Sequence, residues 1–183
     1  RPDLKISACG IDISPAAVAK AKAGIFMRED KELEWISETT IHELFDDEGG
    51  KLVVKPRLRE GTRWFVGDAM SPELPKMLGQ QDILLANNFM GPMDDTDAEK
   101  CLANLYHCVK PGAYLIIDGV DLDLRTRFVR NHYLDPVSKN IEAIHLGDKS
   151  KLGWPWDRWG AEPLEKKDGW QMRYAAVFQI PSA

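Results

Sequence analysis

The stretch Ile6–Phe26, ISACGIDISPAAVAKAKAGIF, decides how the rest of the chain is read. Ile6–Ile11 has strand length and composition, Asp12 follows at its carboxyl end, and a helical pattern begins at once. Ser14 stands where an N-cap belongs, and Pro15 at the first helical position, where its missing N–H costs nothing. In open α/β sheets, ligands bind outside the carboxyl ends of the strands, and an acid there suits the hydroxyls of a ribose. Equally, Asp12 helps to cap the helix that follows. The rest of the chain bears on that choice.

Working outward, Arg63–Val66 (RWFV) reads as a strand ending at Gly67-Asp68. Ser71–Leu78 carries two prolines and has room only for a short helical turn. Asp82–Ala86 (DILLA) is a continuous apolar run, the mark of a strand buried on both faces, and it opens onto Asn87-Asn88-Phe89. Thr96 and Glu99 form a capping box for a helix to Val109, whose residues Ala98, Cys101, Leu102, Leu105 and Cys108 share one face. Lys110-Pro111-Gly112 stops that helix, and Ala113–Ile117 (AYLII) is another buried strand. The succession predicts a doubly wound, mostly parallel α/β sheet.

Between the first two strands, Gly24–Lys31 is a break and Glu32–Phe45 reads as weak helix or loop. Asp46–Gly50 reads as a turn cluster and Lys51–Lys55 as a short strand closed by Pro56. Residues 27–60 are therefore expected to form an insertion or small β-subdomain within one domain spanning 1–183. Beyond Asp118, Leu122–Tyr133 and Ser138–Leu146 read as helices. Trp154, Trp156 and Trp159 sit in a loop, where they either wall a pocket or pack the loop onto the core. Leu164–Lys166 and Trp170–Gln179 flank Lys167-Asp168-Gly169 as a C-terminal antiparallel hairpin.

Composition narrows the function. A net charge of −5 argues against broad nucleic-acid binding, which needs a basic face. No apolar run approaches the roughly 18 residues of a membrane span, and no signal-peptide pattern opens the sequence. Cys101 and Cys108 lie two helical turns apart, so they read as core thiols, and the odd cysteine count fits a reducing cytoplasm. His42, His107, His132 and His145 are scattered without metal-ligand spacing, so no metal site is expected. What remains is three polar residues at strand carboxyl ends: Asp12, Asp68 and Asn88. They are expected to converge on one rim with the chemistry of a nucleoside site, carboxylates for ribose and adenine and an amide nearby.

Several runs then resemble, in order, the CheR-type protein-glutamate methyltransferases. GIDISPAAVAKAKAGIF is similar to that family's T-D-I-x-x-x-x-L-x-x-A-x-x-G-x-Y, without a gap between Asp12 and Phe26. KLVVKPRLREGTRWFVGD resembles Y-x-V-K-P-x-L-R-x-x-V-x-F followed by Asn-Leu. QDILLANNFMGPMDD resembles F-D-x-I-x-C-R-N-V-x-I-Y-F-D, and LYHCVKPGAYLIIDG resembles L-x-P-G-G-x-L-x-x-G. The resemblance implies a class I methyltransferase fold using S-adenosylmethionine. It places Asp12, with Ile13 beside it, at the ribose, Asp68 and Ala69 at the adenine, and Asn88 and Phe89 along the cofactor. It also places a receptor-docking β-subdomain at the insertion.

The implied reaction is direct displacement of the methyl group onto a carboxylate oxygen of a protein glutamate or a small acid. An acceptor carboxylate, with a pKa of about 4.3, is already ionised, so no catalytic base is needed and none is assigned. The family's Arg-Asn reads Asn87-Asn88 here, and its Ile-Tyr-Phe reads Gly91-Pro92-Met93. Both departures flank the acceptor side.

Class I methyltransferases also begin with a strand and a glycine-rich loop, and nothing before Asp12 resembles that loop. In their usual strand order this first strand is central. Its absence leaves an unpaired gap between the strand ending at Asp12 and Asp82–Ala86, which buried backbone groups do not tolerate. The expectation is that the strand comes from a longer polypeptide or a partner chain, with homo-oligomerisation one route, or that the sheet is rearranged. The alternatives to an enzyme are an incomplete fragment and a non-catalytic binding module of the same fold. A dinucleotide-dependent dehydrogenase needs a G-x-G-x-x-G between first strand and helix, which this sequence lacks.

Overall fold

A computed structural model describes residues 5–34, 36–147 and 162–182. Trp154, Trp156 and Trp159 lie outside the described residues. Two compact units are present, Arg1–Asp68 and Ala69–Ala183.

The first unit runs β1 (Ala8–Asp12), α1 (Pro15–Ala23), β2 (Ile25–Met27), α2 (Glu38–Leu44), β3 (Phe45–Glu48), β4 (Lys51–Val54), α3 (Pro56–Arg59) and β5 (Thr62–Val66). Helix α1 starts as its sequence dictates: the Ser14 hydroxyl accepts from the Ala17 N–H, and Pro15 opens the first turn. It stops where Gly24 adopts φ 62° and donates to the Lys20 carbonyl. Strands β1 and β5 pair in parallel, from Ala8 opposite Thr62 to Asp12 opposite Val66. Strands β2, β4 and β3 form a separate antiparallel sheet in that order. Its apolar side packs Leu52 and Phe45 against Leu33 and Ile41, with Phe26 edge-on to Phe45 at 5.8 Å.

Two sequence readings are corrected here. Asp46–Glu48 does not turn but pairs with β4, and the reversal is confined to Gly49 and Gly50, at φ 68° and 91°. Two consecutive positive-φ residues make the tight turn whose twist suits a hairpin. The break expected after α1 contains β2, because Phe26 finds apolar partners across the sheet.

The second unit runs α4 (Leu74–Leu78), β6 (Gln81–Asn87), α5 (Asp95–His107), β7 (Val109–Asp118), α6 (Leu122–Asn131), β8 (Asp135–Pro136), α7 (Ile141–Gly147), α8 (Trp170–Tyr174) and β9 (Val177–Gln179). The strands lie in the order β6-β7-β9-β8. Strands β6 and β7 are parallel, and β9 is antiparallel to both its neighbours. The α/β class with parallel pairing and helical connections is therefore as the alternation predicts.

Details differ. Asp94, not Thr96, caps α5, its carboxylate accepting from the Asp97 N–H at 2.9 Å, because the helix already starts at Asp95 and takes Thr96 into its first turn. The helix ends at His107, and Lys110-Pro111-Gly112 belongs to β7 instead of stopping the helix. The C-terminal hairpin is also corrected: Trp170–Tyr174 is helical, and the antiparallel partner of β9 is β7, with β8 on its far side. The Tyr174 hydroxyl donates to the Pro163 carbonyl and accepts from the Glu165 N–H, which fastens the segment before α8 to that helix.

DILLA is buried on one face only. Leu84 and Ala86 are buried, whereas Ile83 and Leu85 are 59% and 69% exposed, and Tyr114 beside them on β7 is 40% exposed. No described element covers that face of the second unit. Among the described residues β6 pairs with β7 alone, and β1 pairs with β5 alone. An apolar row beside an open strand edge is an association liability. Leu85→Lys is therefore expected to reduce concentration-dependent self-association in light scattering, with stability changed by no more than about 0.5 kcal/mol.

Candidate functional site

In the first unit, the carboxyl ends of β1 and β5 lie side by side. Asp12 closes β1, and its Oδ1 accepts from the Ser14 N–H at 2.7 Å. The helix-entry role of Asp12 is thus present in the geometry. Its other carboxylate oxygen accepts no hydrogen bond among the described residues and sits at an exposed position beside Ile13, itself 71% exposed. The Gly67 N–H donates to the Asp12 carbonyl at 3.0 Å, extending the pairing beyond β5 and setting Asp68 one residue further along the same end. Asp12, Ile13 and Asp68 are brought together by this parallel pair.

In the second unit, Asn104 on α5 donates to the carbonyls of Ala69 and Ser71 at 3.1 and 3.2 Å, fixing the entry to α4. Asn88 is the first residue past β6 and takes φ 58°, with its N–H donating to the Asp118 carbonyl at 3.0 Å. Phe89 is 37% exposed, while Met90 beyond it is buried. Gly119, the first residue past β7, takes φ 67° directly against Asn88.

Sequence reading missed the charge set behind this end of β7. Arg125 on α6 is fully buried. It donates to the carbonyls of Ile117 at 3.0 Å and Arg173 at 2.7 Å, and its Nη1 lies 3.7 Å from Asp118 Oδ1. Burial pushes the guanidinium down to about 10, against the opposing pull of Asp118, so it stays charged at neutral pH. Arg173 in turn binds both carboxylate oxygens of Glu162 and reaches Asp123 at 2.6 Å. The available signal was an arginine at the buried spacing of α6, one turn from Leu122 and one from Val129.

That network sets an acid limit. The hydrogen bond from Arg173 holds the Glu162 carboxyl below its ordinary value of 4.5. A depressed carboxyl stabilises the fold above its unfolded pKa and ceases to do so as pH falls through the native one. Stability of the wild type is expected to fall as pH drops below about 4.5. Glu162→Gln should flatten that limb in thermal melts between about pH 3 and 7. The pair is partly buried, with 29% of the Arg173 and 21% of the Glu162 side chain exposed, and the remaining solvent contact keeps the change modest.

A crevice of about 620 Å³ in the second unit is lined by Thr126, Arg130, Trp170 and Arg173 among others, and by none of the strand-end residues above. No described helix is long and apolar enough to cross a membrane.

Each unit thus contains a parallel strand pair with polar residues at its carboxyl end, Asp12 and Asp68 in the first and Asn88 in the second, the end at which open α/β sheets bind their ligands. The family description "CheR methyltransferase, SAM binding domain" matches residues 1–124 of the 183. The chain belongs to the CheR methyltransferase family, and the matched part is that family's S-adenosylmethionine-binding domain. Among solved structures, the chain is similar to a SAM-dependent methyltransferase from Methanosarcina mazei. That match has 20% identity and a TM-score of 0.35, covering 69% of this chain and 48% of the other. It is also similar to a possible exported protein from Bordetella parapertussis, at 14% identity and a TM-score of 0.41, covering 96% of this chain and 54% of the other. The chain thus spans about half the length of each. No curated protein matches the sequence.

Proposed function

We propose that this chain carries the cofactor half of a methyltransferase that moves a methyl group from S-adenosylmethionine to a carboxylate oxygen, on a protein glutamate or a small acid. The observation that carries the reading is Asp12. It ends a parallel strand within the matched segment, with one carboxylate oxygen committed to the Ser14 N–H and the other left for ribose hydroxyls. Asp68 and Ala69 would flank the adenine, and Asn88 and Phe89 would lie along the cofactor. When bound, the cofactor supplies a methyl group on a sulfonium centre, which an ionised carboxylate takes in one displacement, leaving the C–S electron pair on sulfur. This chain's residues then need only bind and orient. Asp12 fixes the ribose, Asn88 presents an amide from a rigid strand end, and no proton has to move. A reducing, cytoplasmic setting is part of the proposal, as is a protein or small-molecule methyl acceptor.

The second reading is a binding module without catalysis, and the open edge of β6 favours it. Calorimetric titration with S-adenosylhomocysteine separates the two. Micromolar binding that Asp12→Ala weakens at least about tenfold, the loss of a charge-assisted hydrogen-bond pair, supports the proposal. Binding unaffected by Asp12→Ala removes Asp12 from the site. Absence of binding in residues 1–183, regained in a longer form of the polypeptide, assigns the deficit to the open edge. No binding in either form leaves the module reading.

A further inference from the structure

We infer that Gly119 is a positioning residue for Asn88, the glycine whose missing side chain lets the Asn88 carboxamide stand at the cofactor end of β6. The inference rests on the cofactor-lining role proposed for Asn88. Strands β6 and β7 end level with one another, Asn87 opposite Asp118, so Asn88 and Gly119 are the first residues past each strand and meet directly. A Cβ on Gly119 would lie 2.3 Å from Asn88 Oδ1, 2.7 Å from its Cα and 2.9 Å from its backbone nitrogen. Two of those three atoms are backbone, so no side-chain rotation relieves the contact. The Asn88 N–H bond to the Asp118 carbonyl, at 3.0 Å, holds the two strand ends at that separation.

Both residues also have positive φ, 58° at Asn88 and 67° at Gly119. Glycine adopts that conformation freely, and asparagine is one of the few other residues that tolerate it. Such backbone is retained where the surroundings over-determine it, commonly beside a ligand. Here the surroundings are the Asp118 carbonyl and the bare Cα of Gly119. Any side chain at 119 displaces residue 88 and with it the amide.

The test is a double-mutant cycle on S-adenosylhomocysteine affinity with thermal unfolding run in parallel. Asn88→Gly keeps the left-handed backbone and removes the amide, so affinity should drop about tenfold with the melting temperature little changed. Gly119→Ala should cost a similar factor alone, yet no more than about twofold when added to Asn88→Gly, because the group it acts through is gone. Losses that multiply, or Gly119→Ala binding like wild type, overturn the inference.

Because Gly119→Ala also strains the backbone, nitrogen-15 NMR of the wild type supplies a readout independent of that variant. The ligand should shift the Asn88 side-chain amide and the Gly119 backbone amide together, and an unmoved Asn88 amide in a ligand-bound chain overturns the inference. A wild type that binds while Asn88→Gly binds equally well retires this inference alone. A wild type that does not bind in any form retires the cofactor reading and this inference with it.

Discussion

Arg125→Ala is expected to cost about 3–5 kcal/mol of unfolding free energy, the range for removing one partner of a buried ion pair. Among the described residues, Arg125 is the largest fully buried side chain. Its removal strips a donor from the carbonyls of Ile117 and Arg173, takes away the guanidinium 3.7 Å from Asp118, and opens a cavity behind α6. Arg125→Lys keeps the charge but not the planar fork that reaches both carbonyls, so it should recover only part of the loss. Denaturant unfolding, with the midpoint and slope both fitted, measures each variant. A loss under about 1 kcal/mol for Arg125→Ala would falsify the view that this residue anchors the end of β7.

The second large effect belongs to the small antiparallel sheet of the first unit. Leu52 is 1% exposed and packs with Leu33, Ile41 and Phe45 in a core of very few side chains. Leu52→Ala should cost about 2–5 kcal/mol locally, and so small a core has little capacity to close around the cavity. Hydrogen exchange should accelerate across residues 25–54 while the amides of β6 and β7 keep their protection. Uniform acceleration throughout the chain would instead mean that the two units unfold as one.

Much of the α/β plan was legible because it rests on strong local signals. Ser14-Pro15 starts α1 and Gly24 ends it by capping geometry alone. The runs RWFV, DILLA and AYLII are apolar enough to be strands in any context. The readings that failed depended on partners far away in sequence. Asp46–Glu48 is polar and reads as a turn, yet it is a strand because Lys51–Val53 lies opposite it. Trp170–Tyr174 alternates like a strand but is helical, since the edge of β7 is taken by Val177–Gln179.

Ile83 and Leu85 read as buried because the run is unbroken, and only the structure shows that the second unit leaves their side of the strand uncovered. Among the candidate residues, the positions of Asp12, Asp68 and Asn88 at or just past strand ends were legible in the sequence. Arg125 and Gly119 were not, because a buried arginine beside β7 and a close approach at residue 119 are properties of packing, not of any one segment.

The position of β7 has a kinetic consequence. Among the described residues, it is the one strand of its sheet with a parallel partner on one side and an antiparallel partner on the other. The parallel partner precedes it, separated by a single helix, while β9 returns to it only after α6, α7 and α8 have been made. Closing the longer loop costs more chain entropy before any contact repays it. Refolding should therefore proceed in two stages, with Leu84 and Ile117 protected early and Phe178 late. The slow stage should lengthen when β9 is weakened, leaving the fast one unchanged.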